Sequence, residues 1–204
     1  SSVLPLMIRN IIRESMKEKE EILVGVTKDL VAVKDRDPAC KFYSTPLLFY
    51  KGFRALQSHR VANWLWNQER QTLALFFQSR ASEVYGVDIH PAASIGDGVM
   101  IDHGSGVVIG ETAIIEDNVS IFAGVVLGGT GKERGNRHPK IREGVLLSSA
   151  CIVLGNVEVG RFAKVAAGSV VLEDVEEHVT VAGIPAKPAG SSGENPASEV
   201  DHSI

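Results

Sequence analysis

The segment IDHGSG at 101–106 brings together residue types suited to acid–base chemistry on an alcohol. An imidazole, His103, directly follows a carboxylate, Asp102, and precedes glycines that leave the ring accessible and let a substrate approach the backbone. Imidazole titrates near neutrality and can take a proton from a hydroxyl, given a carboxylate to orient it. Asp88, about one coil away in the repeat described below, is the candidate partner. A second group lies in GKERGNRHPK at 131–140, where Lys132, Arg134, Arg137, His138 and Lys140 stand against a single acid, Glu133. Lys132, Arg134 and Lys140 read as solvated cations. Arg137 and His138, beside Pro139 at the segment's end, suit anion recognition, since a guanidinium matches a carboxylate with two parallel hydrogen bonds. His59, His178 and His202 read as surface residues. Cys40 and Cys151 form no metal-type or redox pair, and Cys151 reads as a core thiol.

These groups need a scaffold, and the chain announces one. A hydrophobic residue recurs at every sixth position through Ile89, Ile95, Ile101, Val107, Ala113, Val119 and Val125, then resumes at Ile141, Leu147, Val153, Val159, Val165 and Val171. A second, small residue four places on keeps the same time, interrupted at Glu111 and Asp117. That period fits neither a helix nor a plain alternating strand and predicts a parallel β-helix, with triangular coils of about 18 residues stacked roughly 4.8 Å apart. Ile89, Val107 and Val125 then form one inward column. The long step from Val125 to Ile141 makes 131–140 a ten-residue excursion from the coil, and such loops commonly bind ligands. Adjacent aliphatic residues at 108–109, 114–115, 121–122 and 126–127 must place some side chains outside, an apolar stripe that threefold packing would bury.

Before the solenoid the spacing is helical. Pro5 opens a first helix lined by Ile8, Ile11, Ile12 and Met16; Ile22, Val26, Leu30 and Val33 predict a second. The stretch 35–46, with two prolines, interrupts the pattern. A third helix runs from Phe49 through Phe53, Leu56 and Arg60 to Trp64, and a fourth carries Leu73, Phe76 and Phe77. The chain therefore divides into a helical domain at 1–86, the β-helix at 87–189, and a polar tail at 190–204 expected to be flexible, an α+β organisation. With 204 residues, 44% of them hydrophobic, a sizeable core can be buried. The 21 basic and 25 acidic residues give a net charge of -4, which argues against a nucleic-acid partner. No apolar run approaches the roughly 20 residues that span a bilayer, so no membrane partner is expected. A cytoplasmic location is the expectation, with an organellar form left open because the natural N-terminus is not visible.

The strings VDIHPAASIGDGVMIDHGSGVVIGET (87–112), GGTGK (128–132), RHPKIREGV (137–145) and VLGNVEVG (153–160), with DPAC (37–40) and STPLLFYKGF (44–53), resemble the serine acetyltransferase family over about 35–187. That resemblance implies a left-handed β-helix and transfer of acetyl from acetyl-CoA to L-serine, giving O-acetyl-L-serine, the first step of cysteine biosynthesis from serine. It implies His103 as general base, Asp88 as its orienting carboxylate, and Asp37, Asp102, Arg137 and His138 as serine-binding residues, the last two reaching a neighbouring subunit's site. Gly129, Ala167 and Gly168 match coenzyme-binding stretches, with acetyl-CoA as co-substrate and no tightly bound cofactor or metal. The implied partners are further copies of the chain, as a trimer or a dimer of trimers, and O-acetylserine sulfhydrylase, met through the tail ending at Ile204. Ser148 and Ser149 stand where the family has a Gly-Ala pair, and the helical domain is shorter at its start. Direct attack of the hydroxyl on the thioester is expected, since neither cysteine is placed as a nucleophile. Two alternatives remain at this point: an acetyltransferase of the same fold acting on another hydroxyl, and a zinc-dependent trimeric hydratase like the γ-class carbonic anhydrases, with His90, His103 and His138 as ligands.

Overall fold

Local pattern sets the helices and contact decides where they break. In the computed structural model, which describes residues 3–132 and 134–199, helix α1 (Val3–Glu18) holds Pro5 in its first turn, where a missing N–H costs no intrahelical bond. Ile8, Ile11, Ile12 and Met16 pack with Val61, Trp64, Leu65 and Phe77. Helix α2 (Glu20–Arg36) buries Ile22, Gly25, Asp29, Ala32, Val33 and Arg36 at three- and four-residue spacing. Two charges lie on that stripe. Asp29 accepts hydrogen bonds from Gln57, from Arg60 and from the Val99 N–H at 2.8–3.0 Å, so one buried carboxylate ties two helices to the first coil. Unpaired, such a charge would be costly to bury; here four donors satisfy it.

The single helix expected from Phe49 to Trp64 is two. Helix α3 (Ser44–Phe49) stops at Tyr50, whose backbone is extended, and α4 (Lys51–Asn67) starts afresh. The cause is tertiary: a Cβ on Gly52 would lie 2.1 Å from the Ile101 carbonyl oxygen, so the first turn of α4 is seated directly on the solenoid. Helix α5 (Gln71–Tyr85) ends at Gly86 in the left-handed conformation, φ 68°.

The solenoid has three faces of parallel strands. The first holds β1 (Val87–Ile89), β4 (Val107–Ile109), β7 (Val126–Gly128), β10 (Ile152–Leu154) and β13 (Val170–Val171); the second holds β2 (Ser94–Ile95), β5 (Ile114–Ile115), β8 (Lys140–Ile141) and β11 (Glu158–Val159). The third holds β3 (Met100–Ile101), β6 (Ser120–Ile121), β9 (Leu146–Leu147), β12 (Lys164–Val165) and β14 (Val179–Gly183), closed by the antiparallel β15 (Ala186–Ser191).

Register corrects the expected stacking. Ile89 stands beside Ile109, not Val107, and the inward column is Ile89, Ile109, Leu127, Val153 and Val171. Val87 pairs with Val107, a step of twenty, whereas Val108 pairs with Val126, a step of eighteen. Two extra residues lie in the β3–β4 turn, and that turn carries His103. The excursion between β7 and β8 is therefore eight residues, because the apparent ten included this earlier slip. Both Val107 and Ile109 point inward, so the six-residue beat passed from one inward position to the other without a break. Of each adjacent aliphatic pair one member goes in: Ile109, Ile115, Ile121 and Leu127 are buried, while Val108 and Ile114 are exposed. Val108, Val126, Ile152 and Val170 stand in register on the outside of the first face.

The tail also departs from expectation over its described part. Strand β15 runs to Ser191, the Ser192 N–H donates to the His178 carbonyl at 3.0 Å, and Ala197 is buried, its carbonyl accepting from Ser120 Oγ at 2.8 Å. Polar composition suggested mobility, but these residues have backbone partners on the solenoid. Ile204 lies outside the described residues. Among the described residues no helix is long and apolar enough to cross a membrane.

Candidate active site

Asp37, Asp102 and His103 line one cleft of about 730 Å³ between the α3–α4 junction and the β3–β4 turn. Asp37 caps the end of α2, and its Oδ1 accepts the Ala39 N–H at 2.8 Å. Burial first, then the nearby Asp37 carboxylate, pushes the Tyr50 phenol up to about 12, so it stays neutral. His103 sits at φ 54° and is followed by Gly104 at φ 79°, which turns the imidazole outward with 79% of the side chain exposed. Its Nε2 lies 3.8 Å from Asp102 Oδ2, too long for a hydrogen bond. Positive φ is not special to this residue: Asn118, Ala150 and Phe162 share it at other coil turns. What sets the turn apart is its two extra residues. Lys51, also lining the cleft, donates to Ser105 Oγ.

From this turn an edge runs up the solenoid, marked by hydrogen bonds from the Gly124 N–H to the Ser105 carbonyl, Ala150 to Ala123 and Gly168 to Ser149. Ala167 and Gly168 are exposed on this edge, two coils beyond Gly124, and open space lies where a Gly168 side chain would point. Ser149 is on the same edge. Gly129 is not: it follows β7, next to Arg137 on the edge where the first face passes into the second.

That second edge collects the anion-binding candidates. Arg137 Nη2 donates to Glu111 at 2.6 Å and Nη1 to the Gly135 carbonyl at 3.1 Å. Beside Glu111, Thr112 Oγ1 accepts the N–H groups of Arg137 and His138 at 3.0 and 3.1 Å. The guanidinium holds the Glu111 carboxyl below its ordinary range, while burial and then Arg137 lower the His138 pKa. His138 is nearly enclosed; a Cβ on Gly110 would fall 2.1 Å from its Nε2. His90 belongs here as well, packed edge-on against Trp66 at 5.1 Å, with its Nδ1 accepting the Ala92 N–H.

Asp88, on the outside of β1, accepts from Gln78 Nε2 at 2.7 Å. Within one chain no hydrogen bond or ion pair joins it to His103 among the described residues. Nor do His90, His103 and His138 converge: the first and third share an edge, the second does not, and no group of three potential metal ligands is found among the described residues. His59, expected at the surface, is buried and pushed down to about 3, chiefly by desolvation, with its Nδ1 unpartnered. A helical spacing cannot tell that this face of α4 lies against the coil. Both cysteines are buried; burial drives the Cys151 thiol up to about 12 and raises Cys40 as well, which suits neither as a nucleophile. Sequence reasoning missed Tyr50, Lys51, Gln78, Glu111 and Thr112. Glu111 did leave a signal, as a charged mismatch in a small-residue slot.

Comparison with known proteins shows the family. Residues 1–58 match the family model for the serine acetyltransferase N-terminal region. Serine acetyltransferase of Salmonella typhimurium is 51% identical over 203 residues, covering 98% of this chain and 74% of that protein. Serine acetyltransferase 2 of Arabidopsis thaliana is 59% identical over 172 residues, 84% of this chain and 53% of its own length. Among solved structures, a serine acetyltransferase in complex with cysteine superposes with a TM-score of 0.93 at 49% identity, over 96% of this chain and 77% of that one. The Brucella abortus serine acetyltransferase in complex with coenzyme A gives 0.91 at 49% identity, over 92% and 75%.

Proposed function

The chain belongs to the serine acetyltransferase family and transfers the acetyl group of acetyl-CoA to the hydroxyl of L-serine, and we propose that it does so at a site completed by a second copy of itself. Membership removes the hydratase alternative and makes the solenoid the left-handed β-helix of that family.

One observation carries the proposal. The edge bearing His103 and the edge bearing Arg137 and His138 are the two borders of the first face, and that face presents the column Val108, Val126, Ile152 and Val170. Packing three such faces around an axis buries the column and sets the His103 edge of one chain beside the Arg137 edge of the next. Asp37 and Asp102 then meet the serine ammonium, Arg137 and His138 its carboxylate, and His103 its hydroxyl. Asp88, engaged by Gln78 in its own chain, orients an imidazole from a neighbouring chain. Ala167 and Gly168, with Gly129 of the adjacent edge, line the path of the pantetheine arm, and Ser149 replaces a smaller contact there.

In the reaction, the serine oxygen forms its bond to the thioester carbonyl carbon as His103 takes the hydroxyl proton. Collapse of the tetrahedral intermediate breaks the carbon–sulfur bond, and the imidazolium returns the proton to the departing thiolate. General-base help of this kind is worth about 10²–10⁴ in rate, so alignment supplies the remainder. Thiol release from acetyl-CoA with a panel of acceptor alcohols tests the acceptor, and native mass tests the trimer. A preference for another alcohol, or a monomer with full turnover, would overturn the reading.

A further inference from the structure

Thr112 is a hydroxyl whose lone pairs and proton all have partners. Its Oγ1 accepts the Arg137 N–H at 3.0 Å and the His138 N–H at 3.1 Å. Both lone pairs are then in use, which leaves the hydroxyl proton for His138 Nδ1 at 2.9 Å. The Thr112 N–H, which can only donate, reaches the same Nδ1 at 3.2 Å. An Nδ1 facing two donors has no room for a proton of its own, so the ring carries its proton on Nε2. Protonating Nδ1 would set a third donor against them, and Arg137 and Lys140 would add like charge; both cations, like burial, lower the His138 pKa against the opposing pull of Glu111. Nε2 lies over Gly110, in space left by the missing side chain, and has no hydrogen-bond partner among the described residues.

We infer that Thr112 is a positioning residue, which locks His138 as the neutral Nε2–H tautomer and clamps the return of the excursion loop, so that this donor and the Arg137 guanidinium meet the acceptor in one geometry. The inference rests on the reading that the loop binds serine. Its chemical sense is that a neutral donor beside Arg137 can take an acceptor oxygen without placing two cations side by side. It also sharpens selection, because a donor aimed at an oxygen discriminates against acceptors that lack it.

Nitrogen-15 spectra of the imidazoles at neutral pH, with the His138 signal assigned by its loss in His138→Asn, read the tautomer without reference to activity. The Nε2–H pattern is expected; an Nδ1–H pattern overturns the lock. In kinetics, Thr112→Val keeps the size and the N–H but loses the hydroxyl. It should raise the serine KM about tenfold while leaving the acetyl-CoA KM unchanged, and move the His138 nitrogen-15 shifts, because Nδ1 loses one of its two donors. Thr112→Ser should restore both. A Thr112→Val enzyme with the wild-type KM and unchanged His138 nitrogen-15 shifts overturns the positioning role. A correct tautomer in a protein that does not acetylate serine would keep the lock and sink the functional reading instead.

Discussion

The two edges of the first face are built on opposite plans. On one, His103 is held out by a lengthened turn with its ring exposed and no hydrogen bond to a carboxylate. On the other, Arg137 is bonded to Glu111 and Gly135, and His138 to Thr112, before any substrate arrives. On the proposed reading the difference follows from the tasks. A base must exchange a proton with the substrate and needs a free nitrogen; a recognition group gains from being oriented in advance, because ordering a long side chain on binding costs free energy.

The most forceful way to break this contrast is at the base. His103→Ala should lower kcat by about 10²–10⁴ with the fold intact, since the side chain projects from the coil; near-normal turnover in a folded variant would remove it from the mechanism. Next comes the fork: Arg137→Lys should raise the serine KM about 10–100-fold while sparing the acetyl-CoA KM, because a point charge cannot make the bidentate contact. An equal rise in both would assign the loop to the coenzyme or the fold. Mixing His103→Ala with Arg137→Ala chains tests whether the edges meet between copies; if the copies assemble at random as proposed, about a quarter of the sites should regain both groups, and no recovery would count against a site shared between copies. Preorientation itself is the subtler matter. Glu111→Gln should raise the serine KM only about two- to fivefold, as the pair is part-exposed, and a fall in KM would recast Glu111 as a competitor of the substrate.

A final measurement asks whether acid acts at the edges or beneath them. His59 has its folded pKa depressed to about 3 from 6.5. Below about 6.5 the unfolded chain takes up a proton that the folded one refuses, so stability falls as pH drops from there toward 3. Denaturation midpoints across that window should fall more gently in His59→Leu; an unchanged slope would mean that His59 does not titrate as its burial implies.

Much of the architecture was legible because a six-residue beat can be satisfied only by a coil whose inward positions repeat. The slip within that beat was also written in the chain, at Glu111 and Asp117, where charges fell on expected small slots. It passed unnoticed because two inward positions per strand let the rhythm continue out of phase. The helix break at Tyr50 was not legible, since Phe49 and Phe53 keep helical spacing while the steric demand on Gly52 comes from Ile101. Nor was the ordering of 190–199, whose partners lie on β6 and at His178.

Sequence alone determined the β-helix and the helical region before it, and singled out His103, Asp37, Asp102, Arg137 and His138 as candidates, because residue type and period are local properties. Tertiary structure alone decided how they are grouped. It gathered Asp37 from the end of α2 with Asp102 and His103 in one cleft, sent Arg137 and His138 to the far border of the same face, and gave them Glu111 and Thr112 as supports. Those groupings depend on register, and register depends on the two residues that lengthen a single turn, a count that acquires meaning only when one coil is laid on the next.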